Sequence, residues 1–108
     1  MLKGTIIENS LANKNILKTL KIDKTWQAGT WVLHSIQIDE GRIRELSEAL
    51  NNEPWYIHLW EQGKDKVIVI FKNKIFTLSF SNKSTWVEAV NYGKSLGIPI
   101  EQLDFPID

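Results

Sequence analysis

The side chains that could do acid–base or metal chemistry are few in this chain. It has two histidines, His34 and His58, and no cysteine, so thiolate zinc sites and cysteine nucleophiles are excluded. Successive side chains of a β-strand point to opposite faces of a sheet. In the strands predicted below, His34 and His58 therefore face opposite sides, and Glu61 points away from His58. We expect no metal site and no cofactor, and we interpret His34, which has apolar neighbours, as a hydrogen-bonded core residue.

The sequence lacks the motifs that usually accompany nucleophilic catalysis and nucleotide binding. None of the serines sits in a glycine-flanked elbow, and the six glycines form neither a GxGxxG nor a Walker pattern. Glu53 and Glu61, at the two ends of one predicted strand, are more typical of solvent-facing carboxylates than of a catalytic pair. We therefore expect that the chain is not an enzyme. If it is one, His58 is the only residue that we would name as a general acid or base.

The most distinctive stretch is EPWYIHLWEQG at residues 53–63, which brings two tryptophans, a tyrosine and a histidine into one short run. Read as a strand, it predicts one stripe with Ile57 and Leu59 and a second stripe with Tyr56, His58 and Trp60. The aliphatic stripe is the better match for packing against helices. We therefore expect the aromatic stripe on the face of the sheet that the helices leave open.

The same alternation applies to the predicted strand at residues 30–38. It places Trp31 and Leu33 on the open face and His34 toward the helices, and it assigns Trp55 to the helix side together with Ile57. The predicted binding surface consists of four residues that share the open face: Tyr56, His58, Trp60 and Trp31.

Two interpretations of that face stay open. It could be covered by the N-terminal segment, by the C-terminal residues 98–108 or by a second copy of the chain, since aromatic residues commonly serve packing. It could instead stay open and stack a ligand or dock a peptide, because Tyr and Trp are enriched at binding hot spots. Our first hypothesis is a non-enzymatic binding or protein-interaction module that acts through this face, with a protein partner or as a homodimer.

The distribution of charged residues along the chain suggests an alternative hypothesis, nucleic-acid binding. Thirteen basic and thirteen acidic residues cancel, so the whole molecule has no bulk field that would attract nucleic acid. One region is nevertheless basic and contains five lysines: Lys64, Lys66, Lys72, Lys74 and Lys83. A nucleic-acid-binding domain could use these lysines as phosphate contacts and the sheet aromatics as base-stacking platforms. The neutral net charge and the lack of an RNP-type sequence count against this alternative.

Hydrophobic periodicity and turn residues predict the elements that would position these side chains. Strands are predicted at residues 21–27, 30–38, 55–61, 66–72 and 75–80, helices at 40–51 and 86–96, and a weaker strand and helix at 4–9 and 13–20. Thr85 and Glu88 match a capping box at the start of the last helix, whose Trp86 we expect in the core. The order ββαβββα predicts an α+β fold, with a mostly antiparallel sheet of about five strands and two to three helices on one face.

No linker or repeat divides the sequence, so we expect a single α+β domain over residues 1–108. The first residues contain no apolar run of signal-peptide length, and the longest apolar run, residues 67–71, is too short to cross a bilayer. We therefore expect a cytoplasmic protein that does not enter the membrane.

Three segments carry a family resemblance: WYIHLWEQGKDKVIVIF, STWVEAVNYGKSLGIP and EQLDF. Together they resemble small uncharacterised proteins of bacteria and archaea. The resemblance would cover most of the chain. The resemblance implies a free-standing cytosolic domain. It implies no activity and no functional residues.

Overall fold

The computed structural model describes residues 1–107 and confirms an α+β fold built on one open antiparallel sheet. The sheet has six strands: β1 (Leu2–Ile7), β2 (Lys21–Ala28), β3 (Trp31–Ile38), β4 (Ile57–Trp60), β5 (Lys66–Phe71) and β6 (Lys74–Ser79). Their order across the sheet is β2-β3-β1-β4-β5-β6. Two α-helices accompany them, α1 (Ile43–Ala49) and α2 (Val87–Ser95). The weakly predicted first strand is therefore a full member of the sheet, which has six strands where about five were predicted.

Strand β1 joins the two halves of the sheet. It pairs along its whole length with β3, from Leu2 opposite Ile38 to Ile7 opposite Leu33, and its other edge pairs with β4. Gly4 allows β1 and β4 to approach each other closely, because a Cβ atom at this position would lie 2.7 Å from the carbonyl oxygen of His58. The N-terminal segment therefore fills a gap within the sheet and does not lie over either face.

Tight turns connect the outer hairpins. Gly29, with φ of 62°, lies in the turn between β2 and β3, and Asn73, with φ of 60°, lies between β5 and β6. Glycine and asparagine are the residues that adopt this left-handed conformation most readily. The two turns fix the register of the hairpins, and with it the face on which each side chain lies.

Each face of the sheet has its own hydrophobic core. On the α1 face, helix α1 and the 3₁₀ segment Lys14–Thr19 contribute to a cluster that also contains Ile6, Ile36 and Ile68. On the α2 face, helix α2 and the C-terminal residues pack on Val69 and Phe71. The expectation that all helices share one face was therefore wrong in this detail. The reason is visible in β5, whose run VIVIF is apolar on both sides and requires two covers.

Both helices are shorter than their patterns predicted. A 3₁₀ turn, Glu40–Arg42, precedes α1, and the helix stops at Ala49 because the backbone of residues 49–51 bonds to residues 10–13. A 3₁₀ turn also precedes α2, and the predicted capping box is absent there. Asn82 caps the turn by accepting from the Ser84 amide, while the Thr85 hydroxyl bonds to the backbone of Ser79. No helix within residues 1–107 has the length and apolar character needed to span a membrane.

Candidate binding groove

Helix α2 and the C-terminal residues cover only part of the α2 face. Their core cluster draws its strand residues from β5 and β6, with Tyr56 at its margin. Over β1 and β3 the same face remains accessible, and Thr5, Ile7 and Leu33 are partly or fully exposed there. The predicted open face therefore exists over half of the sheet.

A groove of about 650 Å³ lies where the covered and open halves meet. Such a volume lies within the range of small-ligand and side-chain pockets. Most of its surface is apolar, and its lining comes from β1, β3, the segment before β4 and the C-terminal region: Thr5, Ile7, Trp31, Leu33, Glu53, Pro54, Trp55, Tyr56, His58, Ile98 and Gln102. Three of the four predicted binding residues, Trp31, Tyr56 and His58, thus line one groove.

Two tryptophans form the outer wall of this groove. The Trp31 side chain is 44% exposed, and its ring centroid lies 5.6 Å from that of Trp55 with an interplanar angle of 69°. Trp55 also packs against the α1-face core. Its Nε1 atom is buried without a hydrogen-bond partner, and it is the only side-chain nitrogen or oxygen atom of the described residues in that situation. Alternation had assigned Trp55 to the core side alone. It reaches the groove as well because β4 begins only at Ile57, so strand geometry does not constrain Trp55.

Tyr56 forms the inner wall and is held by the C-terminal residues. Its hydroxyl donates to the carbonyl oxygens of Gln102 and, at 3.2 Å, Asp104. Its ring makes an edge contact with Phe105 at 5.5 Å and a tilted contact with Phe71 at 5.9 Å. Burial raises the pKa of the Tyr56 phenol above its usual value of 10.0. The phenol is thus a fixed, neutral part of the wall.

His58 and Trp60 continue the aromatic stripe beyond Tyr56. Nε2 of His58 lies 2.9 Å from the carbonyl oxygen of Pro106, and the imidazole stacks on Trp60 with ring centroids 5.4 Å apart. Trp60 does not line the groove but supports His58 from the side. The C-terminal residues therefore cover part of the predicted stripe, whereas Trp31 stays open. Residue 108, which belonged to the predicted cover, lies outside the described residues.

The charge along the open half of the α2 face is uneven. The groove lining includes one carboxylate, Glu53, and no lysine or arginine. Basic side chains lie toward the opposite end of the strands, where Lys3 and Lys21 pair with Gln37 and Lys24 pairs with Ser35. The groove lining itself is therefore aromatic, with one carboxylate and no basic side chain.

The predicted basic patch does not form part of this groove. Lys66, at the start of β5, makes a 2.6 Å ion pair with Glu40, and Lys72, beyond the other end of β5, donates to the Glu48 carbonyl oxygen at 2.7 Å. Lys83 lies over the ring of Trp86, 3.4 Å from its centroid. Lys74 caps Phe76 in the same way, and Lys64 precedes β5. The five lysines are thus divided between the two ends of the β5–β6 hairpin.

His34 is buried and hydrogen-bonded, as its apolar neighbours predicted. Its Nδ1 lies 2.8 Å from the Thr25 hydroxyl and its Nε2 lies 2.9 Å from Oε1 of Glu8. A hydroxyl, an imidazole and a carboxylate in a row have the connectivity of a catalytic triad. Here, however, Thr25 lies within strand β2 and not on a strained turn, and the three side chains connect β2, β3 and the residue that follows β1. Thr25 could have been predicted as a partner of His34 from the register of the β2–β3 hairpin. Glu8 could be predicted as the other partner only once β1 was known to pair with β3.

No cluster of three or more His, Asp or Glu side chains in residues 1–107 is arranged to hold a metal ion. Several lining residues were missed by sequence reasoning, notably Ile98 and Gln102. They reach the groove through the return of the chain after α2, and no local pattern signals that path. Ile7 and Leu33, by contrast, lie opposite each other in the register of β1 and β3. That pairing could be predicted only once β1 was placed beside β3.

Comparison with known proteins gives no assignment. No model of a protein family, no curated protein and no solved structure matches the chain. The function therefore has to be inferred from the groove itself.

Proposed function

We propose that this chain is a non-enzymatic binding module that holds a peptide segment of a partner protein in the groove between Trp31 and Tyr56. The observation that carries the proposal is the way in which the chain binds its own C-terminal residues on the adjoining part of the same stripe. Residues 102–106 act there as an internal peptide ligand, and the groove continues the surface on which they lie.

The internal segment illustrates the binding mode. Phe105 is fully buried, with its ring against Tyr56, His58 and Trp86. The polar tips of Tyr56 and His58 meet backbone carbonyl oxygens of the segment. An aromatic stripe thus buries one side chain and bonds the adjacent main chain, which is how protein surfaces commonly recognise peptides.

The open groove offers the same elements to a second segment. Trp31 and Leu33 provide apolar surface that is exposed or partly exposed. Tyr56 borders both the internal segment and the groove, and Gln102, the first residue of that segment, also lines the groove. Aromatic residues of this kind contribute a large share of binding energy at protein interfaces. The groove volume of about 650 Å³ lies in the range of pockets that enclose a small ligand, so it matches inserted side chains of a peptide and not a whole domain surface.

The other two functional hypotheses receive less support. A nucleic-acid interface would combine the lysines with the aromatic stripe, but Lys66 and Lys72 are engaged by residues around α1, away from the groove. An acid–base role for His58 would require access to a substrate, and the Nε2 atom of His58 lies against the Pro106 carbonyl oxygen. Binding is therefore the function that the geometry supports best.

The proposal can be tested by selecting peptides from a random display library against the full-length chain. Synthetic versions of the selected peptides are then titrated by calorimetry. We expect Trp31→Ser to weaken their binding at least tenfold, since loss of a hot-spot tryptophan commonly costs about 2 kcal/mol or more. Trp26→Ser is the matched control, because Trp26 pairs with Leu33 on the same face but does not line the groove.

Two outcomes would contradict the proposal. One is a selection in which no peptide depends on Trp31. The other is concentration-dependent self-association in sedimentation that Trp31→Ser abolishes while no peptide binds, which would make a second copy of the chain the occupant of the groove.

A further inference from the structure

We infer that the side chain accepted between Trp31 and Trp55 carries an alkylated ammonium group, as an N-methylated lysine of a partner peptide does. This inference rests on the proposed peptide-binding function and specifies its ligand. It is carried by the angle between the rings, by the single carboxylate in the same groove lining and by a comparison with four other aromatic residues of the chain.

The rings form a corner. The ring planes of Trp31 and Trp55 meet at 69° in an edge-to-face contact, with their centroids 5.6 Å apart. Tyr56 lines the same groove. The face of an aromatic ring carries partial negative charge and attracts a cation within about 6 Å of its centroid. A cation placed in such a corner can therefore contact more than one ring at once.

Four aromatic residues outside the groove, Trp26, Phe76, Phe80 and Trp86, already carry a lysine over their rings. Lys24 lies over Trp26 at 5.3 Å, Lys74 over Phe76 at 5.3 Å and Lys83 over Phe80 at 5.4 Å. Lys83 also covers Trp86. By contrast, no lysine or arginine within residues 1–107 lies over Trp31, Trp55 or Tyr56. These three aromatic rings of the groove are thus left without a cation by the described residues, and the contact that Trp31 and Trp55 make with each other is edge to face.

Charge in the lining favours a positively charged guest. Glu53 is the one carboxylate in the groove lining, and no lysine or arginine among the described residues lines it. A carboxylate beside an apolar aromatic surface attracts a cation and disfavours an anion. Phosphorylated and acidic peptides are accordingly poor candidates for this groove.

The apolar character of the lining selects among cations. A primary ammonium group has three N–H donors, and each loses a water partner when it enters an apolar groove. Apart from Glu53, the side-chain acceptors in the lining are few, chiefly Thr5 and Gln102. An alkylated ammonium has lost some or all of these donors and keeps its charge, so it costs less to desolvate. This is why quaternary ammonium groups are the usual guests of aromatic cages.

A pair of small probes tests the inference on the full-length chain. Choline carries a trimethylammonium group, and its neutral tert-butyl isostere has carbon in place of nitrogen and nearly the same shape. Binding is followed by the shifts of the tryptophan indole N–H signals in NMR titrations. We expect choline to bind saturably and about tenfold more tightly than the isostere.

Variants then assign the binding to the corner. We expect Trp31→Ala to abolish saturable choline binding and Glu53→Gln to weaken it several-fold, with the Glu53 effect reduced at high salt. Trp26→Ala, the matched tryptophan control, should leave the choline titration unchanged. Both Trp31 and Glu53 are exposed, and the indole spectrum of each variant reports directly whether it is folded.

The outcomes separate the inference from the proposed function. If choline and the isostere bind equally, or if choline does not bind while the selected peptides do, the ammonium inference is wrong and the peptide-binding function stands. If choline binds with undiminished affinity to Trp31→Ala, the corner is not its site. If neither the probes nor any selected peptide depends on Trp31, both proposals fail together.

Discussion

At the scale of single residues, two tryptophans of one chain have opposite roles. Trp86 is 6% exposed, donates from Nε1 to the Ser79 carbonyl oxygen at 2.8 Å and contacts Phe105. Trp31 is 44% exposed, and its ring contacts that of Trp55. The first is a packing residue with its polar atom satisfied. The second leaves much of its surface available to a ligand.

Replacement of Trp86 by alanine should lower the free energy of unfolding by about 3–5 kcal/mol, because it leaves a large cavity between α2, β6 and the C-terminal residues. Trp31→Ala serves as the comparison and should cost less than about 1 kcal/mol, since exposed sites change stability little. Urea denaturation of both variants measures the difference. Equal shifts of the two midpoints would show that Trp31 is a core residue and not a binding residue.

Gly4 is a second residue whose identity the fold requires. A Cβ atom at this position would lie 2.7 Å from the His58 carbonyl oxygen, and a backbone atom cannot move aside as a flexible side chain can. We expect Gly4→Ala to destabilise the protein by roughly 1–3 kcal/mol through overpacking. Gly41→Ala is the control, because its Cβ would approach only the Asp39 carboxylate, at 3.1 Å. Thermal unfolding midpoints that are unchanged in Gly4→Ala would argue against the β1–β4 pairing.

At the scale of elements, the C-terminal segment acts as a strap over Tyr56 and His58. Its anchors are the buried ring of Phe105 and the carbonyl oxygens of Gln102, Asp104 and Pro106. The strap limits the groove on one side, so its stability also determines the shape of the binding site. The phenol of Tyr56 provides a way to measure that stability.

Alkaline pH should weaken the strap. Burial raises the pKa of Tyr56 above 10.0, so the folded protein retains the phenolic proton more tightly than the unfolded chain does. The stabilisation is present below about pH 10 and is lost as the pH rises above it, because the unfolded state then releases the proton first. The stability advantage of the wild type over Tyr56→Phe should therefore shrink above about pH 10 in urea titrations. An advantage that is constant across this range would mean that the phenol is not buried by the strap.

The sequence predicted the local elements well because their signals are local. Alternation placed His34 and Trp31 on the correct faces of β3, and Gly29 marked the turn before it. The sequence-based predictions failed where long-range contacts determine the length of an element or the lining of the groove. Backbone bonds from residues 10–13 shorten α1, and the strap contributes Gln102 to the groove from far along the chain. Trp55 was assigned to one face because strand alternation was extended past the start of β4.

At the scale of the whole molecule, the two faces of the sheet are unequally covered. The α1 face has a core that runs from β3 to β5, whereas the α2 face is closed over β5 and β6 and open over β1 and β3. The apolar run of β5 could have predicted the second core. The placement of β1 at the centre of the sheet could not be read from local pattern, and this placement is what leaves an open half-face beside the strap.

The central claim is that the open half-face binds its ligand between Trp31 and Tyr56, and the five tryptophans provide one reporter each for testing it. The most direct measurement is an NMR titration of the five indole N–H signals of the 108-residue chain with a selected peptide. We predict that the Trp31 and Trp55 signals move together and saturate, while those of Trp26 and Trp86 stay in place. Saturable shifts at Trp86, beside Lys83 on the β5–β6 side, with Trp31 and Trp55 unmoved would contradict the claim and would favour the basic surface instead.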